Sequence, residues 1–155
     1  VNEIAEIVHN ITHENFGFAN KNIGDAFLLV WKFDDQHIEY DENMDIIGLK
    51  HCKQVSELVD SSVIAFIKIL AKIQKSYQLN KYRNNDKLRN RISNYSVKLG
   101  FGLHLGWSIE GAIGSVYKID ASYLSQHVNG ASKLEEKTKE YGCHIIISDD
   151  IARHM

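Results

Sequence analysis

The chain of 155 residues is 44% hydrophobic and 25% charged, and its formal net charge is −2. This length suits one globular domain with an ordinary hydrophobic core. The small net charge gives no electrostatic reason to expect nucleic acid or an anionic membrane as a partner. No apolar run approaches the ~18 residues of a membrane span. Two cysteines are too few for a disulfide framework, which favours an intracellular, cytoplasmic location.

The first third of the chain predicts a helix and a strand hairpin. Four apolar residues recur at helical spacing: Val1, Ile4, Val8 and Ile11. The predicted helix ends before Gly17. Strands are expected over 18–21 and 26–33, with a turn at Gly24 and Asp25 between them. The second strand is almost entirely apolar, which predicts burial on both faces.

Two polar stretches flank the clearest helix of the sequence. Residues 34–56 are acidic and residues 80–94 are basic, and both are expected to be exposed loops or insertions. The helix between them runs from about 59 to 77, with Asp60, Ser61 or Ser62 as its cap. The basic stretch has few aromatic residues for base stacking, so it does not favour nucleic-acid binding.

The remaining elements complete an α+β pattern. Strands are expected over 95–105 and 108–117, a helix over 127–141 that Gly142 stops, and a last strand over 143–147. Paired strands separated by helices, without βαβ alternation, predict a mostly antiparallel sheet with helices packed on it.

Three segments carry a more specific pattern. Residues 21–25 read K-x-x-G-D, residues 102–114 read G-L-H-x-G followed by G-x-I-G, and residues 128–135 read V-N-x-A-S-K-L-E. In this order and approximate spacing they resemble class III nucleotide cyclase domains, most closely the adenylate cyclases of unicellular eukaryotes. The resemblance implies a ferredoxin-like class III cyclase fold. It also implies that residues 1–155 are a single partial catalytic domain, truncated at both ends.

The resemblance implies a reaction as well. In these enzymes the ribose 3′-hydroxyl attacks the α-phosphorus of a nucleoside triphosphate and expels pyrophosphate, at an interface between two cyclase domains. Two divalent cations, Mg²⁺ or Mn²⁺, are held by two Asp carboxylates. Asp25 matches the second Asp. The first Asp is expected before Val1, and the Lys that contacts the terminal phosphates is expected after the last strand.

The base-reading positions favour ATP over GTP. Lys21 matches the residue that reads adenine, and its ammonium group is a donor only, which suits the N1 acceptor of adenine. Its partner is Ser122 when counted back from Asn129, and Asp120 when counted forward from Gly114. Both alternatives remain open from the sequence.

The third motif implies two further site residues. Asn129 matches the residue that orients the ribose, and Lys133 stands where the family has an Arg that stabilises the transition state. Residues i and i+4 share a helix face, so both can point into one cleft. Lys keeps the charge of Arg but loses its planar fork.

Two functions are therefore expected as alternatives. The intact protein is either an adenylate cyclase that pairs with a second cyclase domain or a catalytically silent cyclase-like partner in a larger assembly. As an isolated fragment the chain is expected to be inactive. Any membrane attachment would lie in parts of the protein outside this sequence.

Overall fold

The computed structural model describes residues 2–83 and 97–155. The helices are α1 (Asn2–Glu14), α2 (Lys53–Lys75), α3 (Tyr77–Arg83), α4 (Gln126–Tyr141) and α5 (Asp149–His154), with a 3-10 turn at Asp35–His37. The strands are β1 (Phe18–Ile23), β2 (Ala26–Val30), β3 (Ile38–Tyr40), β4 (Ile46–Leu49), β5 (Phe101–Leu103), β6 (Ile109–Ser115), β7 (Lys118–Leu124) and β8 (Ile145–Ile147). The predicted α+β class is confirmed.

The strands pair in a mostly antiparallel manner, also as predicted. β1 with β2, β3 with β4, and β6 with β7 form antiparallel hairpins, whereas β5 and β8 pair in parallel. Each of these pairs has its own backbone ladder within the described ranges. Side-chain contacts therefore decide how one pair lies against another.

The core forms where α1 and α2 pack on the strands. Val8, Phe66 and Ile69 are buried together with Phe101 of β5, and the rings of Phe66 and Phe101 stack with centroids 4.5 Å apart. A fully buried aliphatic side chain such as Ile69 contributes about 1.5–3 kcal/mol to folding. This core holds α1, α2 and β5 as a support for the hairpins.

The acidic stretch is more ordered than the sequence predicts. Within 34–56 the chain forms the 3-10 turn, β3, β4 and the start of α2 instead of an exposed loop. The Asp41 carboxylate accepts the backbone N–H groups of Asn43 and Asp45, which closes the turn between the two strands. Polar composition concealed this hairpin.

Helix α2 begins at Lys53, earlier than predicted. The prediction placed the start too late because the first turns of the helix have few apolar residues. Cys52 occupies the N-cap, so the predicted caps at Asp60, Ser61 and Ser62 are wrong. The hydroxyls of Ser61 and Ser62 instead donate to carbonyls inside the helix. Helix α3 covers the start of the basic stretch, and residues 84–94 of that prediction lie outside the described residues.

Other boundaries differ in informative ways. β2 ends at Val30, and its apolar residues are only partly buried rather than covered on both faces. β7 was not predicted, although polar and apolar residues alternate from Lys118 to Tyr123; six of its seven residues are not buried, so this alternation does not mark a core face. Gly142 ends α4 as predicted, with φ of 66° in the left-handed region that favours glycine.

Among the described helices, none is both long and apolar enough to cross a membrane.

Candidate active site

Lys21 and Ser122, the two residues expected to read the base, lie in direct contact. The Lys21 ammonium donates a hydrogen bond to the Ser122 hydroxyl, with Nζ and Oγ 2.6 Å apart. Lys21 lies on β1 and is partly buried, whereas Ser122 lies on β7 and is only 6% exposed. The contact joins two hairpins that are distant in sequence.

A β-bulge in β1 accounts for the direction of Lys21. The register with β2 shifts between Ala19 and Lys21, which leaves Asn20 as the extra residue. The Asn20 side-chain amide donates to the backbone carbonyl of Ala121 at 3.2 Å. Adjacent residues of a regular strand point to opposite faces, but a bulge re-aims one of them. Asn20 and Lys21 can therefore both reach β7.

A second group of side chains joins the same hairpins nearby. Lys32 pairs with Glu110, and the Tyr123 hydroxyl donates to the other Glu110 oxygen at 2.8 Å. The Lys32 ammonium also lies over the rings of Phe18 and Tyr123, at 5.2 and 5.6 Å from their centroids. We call Phe18, Lys32, Glu110 and Tyr123 the aromatic clasp.

The charges of the aromatic clasp stabilise one another. The hydrogen bond to Glu110 raises the pKa of Lys32, and the hydrogen bond from Lys32 lowers the pKa of Glu110. Burial, followed by the hydrogen bond to Glu110, raises the pKa of Tyr123. At neutral pH the pair is therefore ionised and the phenol keeps its proton.

The other candidate carboxylates are placed differently. Asp120, the rival of Ser122, is exposed and pairs with Lys118 at 3.1 Å on its own strand. Asp25 is exposed in the turn between β1 and β2. No group of three or more His, Cys, Asp or Glu side chains in the described part of the chain could hold a metal ion. One carboxylate such as Asp25 could provide only a small part of the roughly six oxygen ligands of Mg²⁺, so these residues do not form a metal site by themselves.

Helix α4 carries the two remaining candidates near its start. Ser125 is the N-cap, and its hydroxyl accepts the backbone N–H groups of His127 and Val128 at 2.9 and 3.3 Å. Asn129 and Lys133 follow one turn apart on the same face, and both are exposed. They are accessible to a ligand, and the described contacts do not join them to Lys21 or Ser122.

A histidine pair packs the start of α4 against the segment after β5. The rings of His104 and His127 stack with Nε2 and Nδ1 3.0 Å apart, a distance that suits one shared hydrogen. Burial, with a smaller contribution from His127, lowers the pKa of His104. These contacts are those of a packed side chain.

Known proteins share both local sequence and the whole fold with this chain. No protein-family model matches it. Over 59 residues, 38% of the chain, the sequence is 36% identical to an adenylate cyclase of Anabaena cylindrica. Two structures of bacterial light-regulated adenylyl cyclases align over 99% of the chain, with TM-scores of 0.68 and 0.63 at 21% and 20% identity. The guanylyl cyclase Cya2 aligns over 99%, with a TM-score of 0.54 at 14% identity.

The chain has the class III cyclase fold. The resemblance found in the sequence motifs is thereby confirmed. The match spans 12% of the Anabaena protein, 36% of each light-regulated cyclase and 66% of Cya2. The chain therefore spans only part of the length of each relative.

The sequence patterns did not identify the residues that hold the two hairpins together. Asn20 and the aromatic clasp belong to no motif, and their partners lie far apart in the chain. The sequence does show aromatic and charged residues near the ends of β1, β2 and β7. Their positions alone do not predict which of these side chains contact each other.

Proposed function

We propose that this cyclase domain converts ATP to cyclic AMP and pyrophosphate, at a site formed with a second cyclase domain. The observation that carries the proposal is the contact between Lys21 and Ser122. A donor and a hydroxyl held side by side, one of them nearly buried, are suited to read the edge of a purine. The named activity of the adenylyl cyclase relatives supports the same substrate.

The polarity of the two groups favours adenine. The Lys21 ammonium has only donors, so it pairs with the N1 acceptor of adenine and not with the N1–H of guanine. Ser122 accepts from Lys21 and still has a lone pair for the adenine amino group. Guanine presents a carbonyl at that position, to which the Ser122 hydroxyl could donate its own hydrogen, so discrimination against guanine depends mainly on Lys21.

The exposed candidates would act on the ribose and phosphates. Asn129 would orient the ribose, and the Lys133 ammonium would neutralise charge that develops on the phosphates during attack by the 3′-hydroxyl. Asp25 would contribute one carboxylate to a pair of divalent cations, Mg²⁺ or Mn²⁺. The other ligands would come from phosphate oxygens, water and carboxylates elsewhere.

An exposed hairpin supports the pairing of two domains. At the tip of β6 and β7, Val116 and Tyr117 are each 97% exposed, and Ile113 and Ile119 beside them are 47% and 70% exposed. Large exposed apolar side chains grouped at one hairpin tip are typical of interaction sites in soluble proteins. A second cyclase domain is the partner that the proposed shared site requires.

A catalytically silent, regulatory cyclase-like domain is the second candidate. Two observations favour it: Lys133 replaces the expected Arg, and among the described residues Asp25 belongs to no group of three or more His, Cys, Asp or Glu side chains that could hold a metal ion. Lys cannot form the two parallel hydrogen bonds with which Arg holds phosphate oxygens. A silent domain would keep the fold and the pairing surface but not the turnover.

Cyclic nucleotide production by the natural full-length protein, with Mn²⁺ and ATP or GTP, separates the two candidates. An active enzyme should favour ATP and lose at least about 100-fold of its kcat in Asp25→Ala. Asp35→Ala, an exposed aspartate in the 3-10 turn, is the matched control and should stay within two-fold of wild type. A wild type as silent as Asp25→Ala would support the second candidate.

A further inference from the structure

In the described part of the chain, no backbone hydrogen-bond ladder fixes the position of β7 relative to β1. Phe18 contacts Tyr123 and Asn20 reaches Ala121, so the two strands run antiparallel side by side. The described ladders join β1 only to β2 and β7 only to β6. A strand without a ladder can slip along its neighbour, and a slip of one residue would turn Ser122 away from Lys21.

The aromatic clasp is in the right place to prevent this slip. Tyr123 is adjacent to Ser122 in β7, and the cross-strand partner of Tyr123 in β6 is Glu110. Lys32 lies two residues beyond Val30, the partner of Phe18 in the β1–β2 hairpin. Three contacts connect the two hairpins at the position beside Ser122: the Lys32–Glu110 ion pair, the Lys32 ammonium over the Tyr123 ring, and the Phe18–Tyr123 ring contact. The Tyr123–Glu110 hydrogen bond and the Lys32–Phe18 contact orient the clasp side chains within each hairpin.

We propose that Glu110, held between Lys32 and Tyr123, is a positioning residue that keeps Ser122 within reach of Lys21 and so sets the preference for adenine. The inference rests on the proposed function, because a purine is what the two groups would read. Glu110 touches neither the base nor the phosphates in this assignment. It acts on substrate binding through the register of β7.

The exposure of the clasp limits the size of the effect. The side chains of Lys32 and Glu110 are 46% and 51% exposed, and a lone ion pair at such a site contributes little to stability. The pair is part of a network with Tyr123 and Phe18, however, and networks act more strongly than isolated pairs. Loss of the clasp should therefore change register and binding without unfolding the domain.

The test compares four variants of the full-length protein: Glu110→Gln, Lys32→Met, the double variant, and Lys118→Met. Lys118 pairs with Asp120 at the far end of the same hairpin, so its variant removes a similar exposed ion pair that does not reach β1. Glu110→Gln should raise KM for ATP about five-fold and lower the ATP-to-GTP preference, with kcat within two-fold. Lys118→Met should match wild type in all three quantities.

The double variant examines whether Lys32 and Glu110 act through one contact. If they do, its KM should rise about as much as in either single variant, rather than by the product of the two effects. Multiplied effects would overturn the shared role. Equal KM and equal base preference in Glu110→Gln and Lys118→Met would overturn the positioning role itself.

Amide hydrogen exchange of β1 and β7 tests the clasp without any need for turnover. Exchange there should be faster in Glu110→Gln than in Lys118→Met, while α2 stays unchanged. If the wild type makes no cyclic nucleotide, the proposed function fails, and this measurement still decides on the clasp. Unchanged exchange would overturn it, and so would faster exchange with unchanged KM in an active enzyme.

Discussion

The Lys21 ammonium donates a 2.6 Å hydrogen bond to the Ser122 hydroxyl across 101 residues of chain. Counting along the sequence left two possible partners for Lys21, and the geometry separates them. Ser122 is nearly buried and faces Lys21, whereas Asp120 is exposed and engaged by Lys118. The assignment of Ser122 as a base-reading residue is the part of the proposed function that is simplest to test.

Removal of the Ser122 hydroxyl should weaken ATP binding selectively. Ser122→Ala deletes one hydrogen bond to the base, worth about 0.5–1.5 kcal/mol, so KM for ATP should rise roughly two- to thirteen-fold. Asp120→Ala should change KM less than two-fold. Steady-state kinetics with ATP and GTP provide the measurement. The reverse order of effects would assign Asp120 as the partner instead.

Restoration of the guanidinium at position 133 should raise turnover. Lys133→Arg adds a second donor to a charged phosphate oxygen, and such a hydrogen bond is worth about 1.5–3 kcal/mol. An active cyclase should therefore gain about ten-fold or more in kcat, with KM nearly constant. Lys137→Arg, one turn further along α4 and paired with Glu140, is the control. If neither variant raises kcat, Lys133 does not act on the transition state.

The sequence predicted those parts of the fold that have strong periodicity or a motif. Val59, Phe66 and Ile73 repeat on one face of α2, and the three motifs placed the β1–β2 turn, the strands around Gly106 and the start of α4. β7 was missed although its polarity alternates, because the turn before it, Val116 and Tyr117, contains no Gly, Pro, Asn or Asp that would mark the end of β6. The β3–β4 hairpin escaped because Glu39 in β3 and three acidic residues in the turn made the whole stretch read as polar, although β4 itself is apolar.

The site divides in the same way. Lys21, Asp25, Asn129 and Lys133 could be named from motifs, since each lies at a fixed position within one. The partners that orient Lys21 could not, because contacts such as Asn20 with Ala121 depend on how two hairpins meet. A bulge at Asn20 leaves no mark in the sequence other than a polar residue in a strand.

A methyl group at position 102 should destabilise the domain strongly. The Cβ of Gly102→Ala would overlap the backbone carbonyl of Ala131 and come within 2.9 Å of Cβ of Leu134, at the contact between β5 and α4. Because backbone atoms cannot move aside cheaply, the free energy of unfolding should fall by about 3 kcal/mol. Gly111→Ala in β6 meets nothing within 4 Å and should change it by less than about 0.5 kcal/mol. Urea denaturation measures both values, and equal midpoints for the two variants would refute the overlap.

Acid should destabilise the domain through two histidines. Burial lowers the pKa of both His104 and His154 below the ordinary value of 6.5, and the neighbouring rings of His127 and His51 add to this effect. Asp150 opposes the shift at both sites, as Glu39 does at His154, but the net direction remains downward. The folded state thus holds these histidines neutral under conditions in which the unfolded chain takes up protons.

The sign and the pH range follow from that difference. The stabilisation is complete above pH 6.5 and is lost as the pH falls through the lowered pKa values, at a slope of at most about 1.4 kcal/mol per pH unit for each histidine. Urea denaturation between pH 7.5 and 5 should show this slope. Variants His104→Gln and His154→Gln should each reduce it, whereas His13→Gln, which alters an exposed residue of α1, should not. A slope that is the same in all three variants would mean that other groups cause the acid sensitivity.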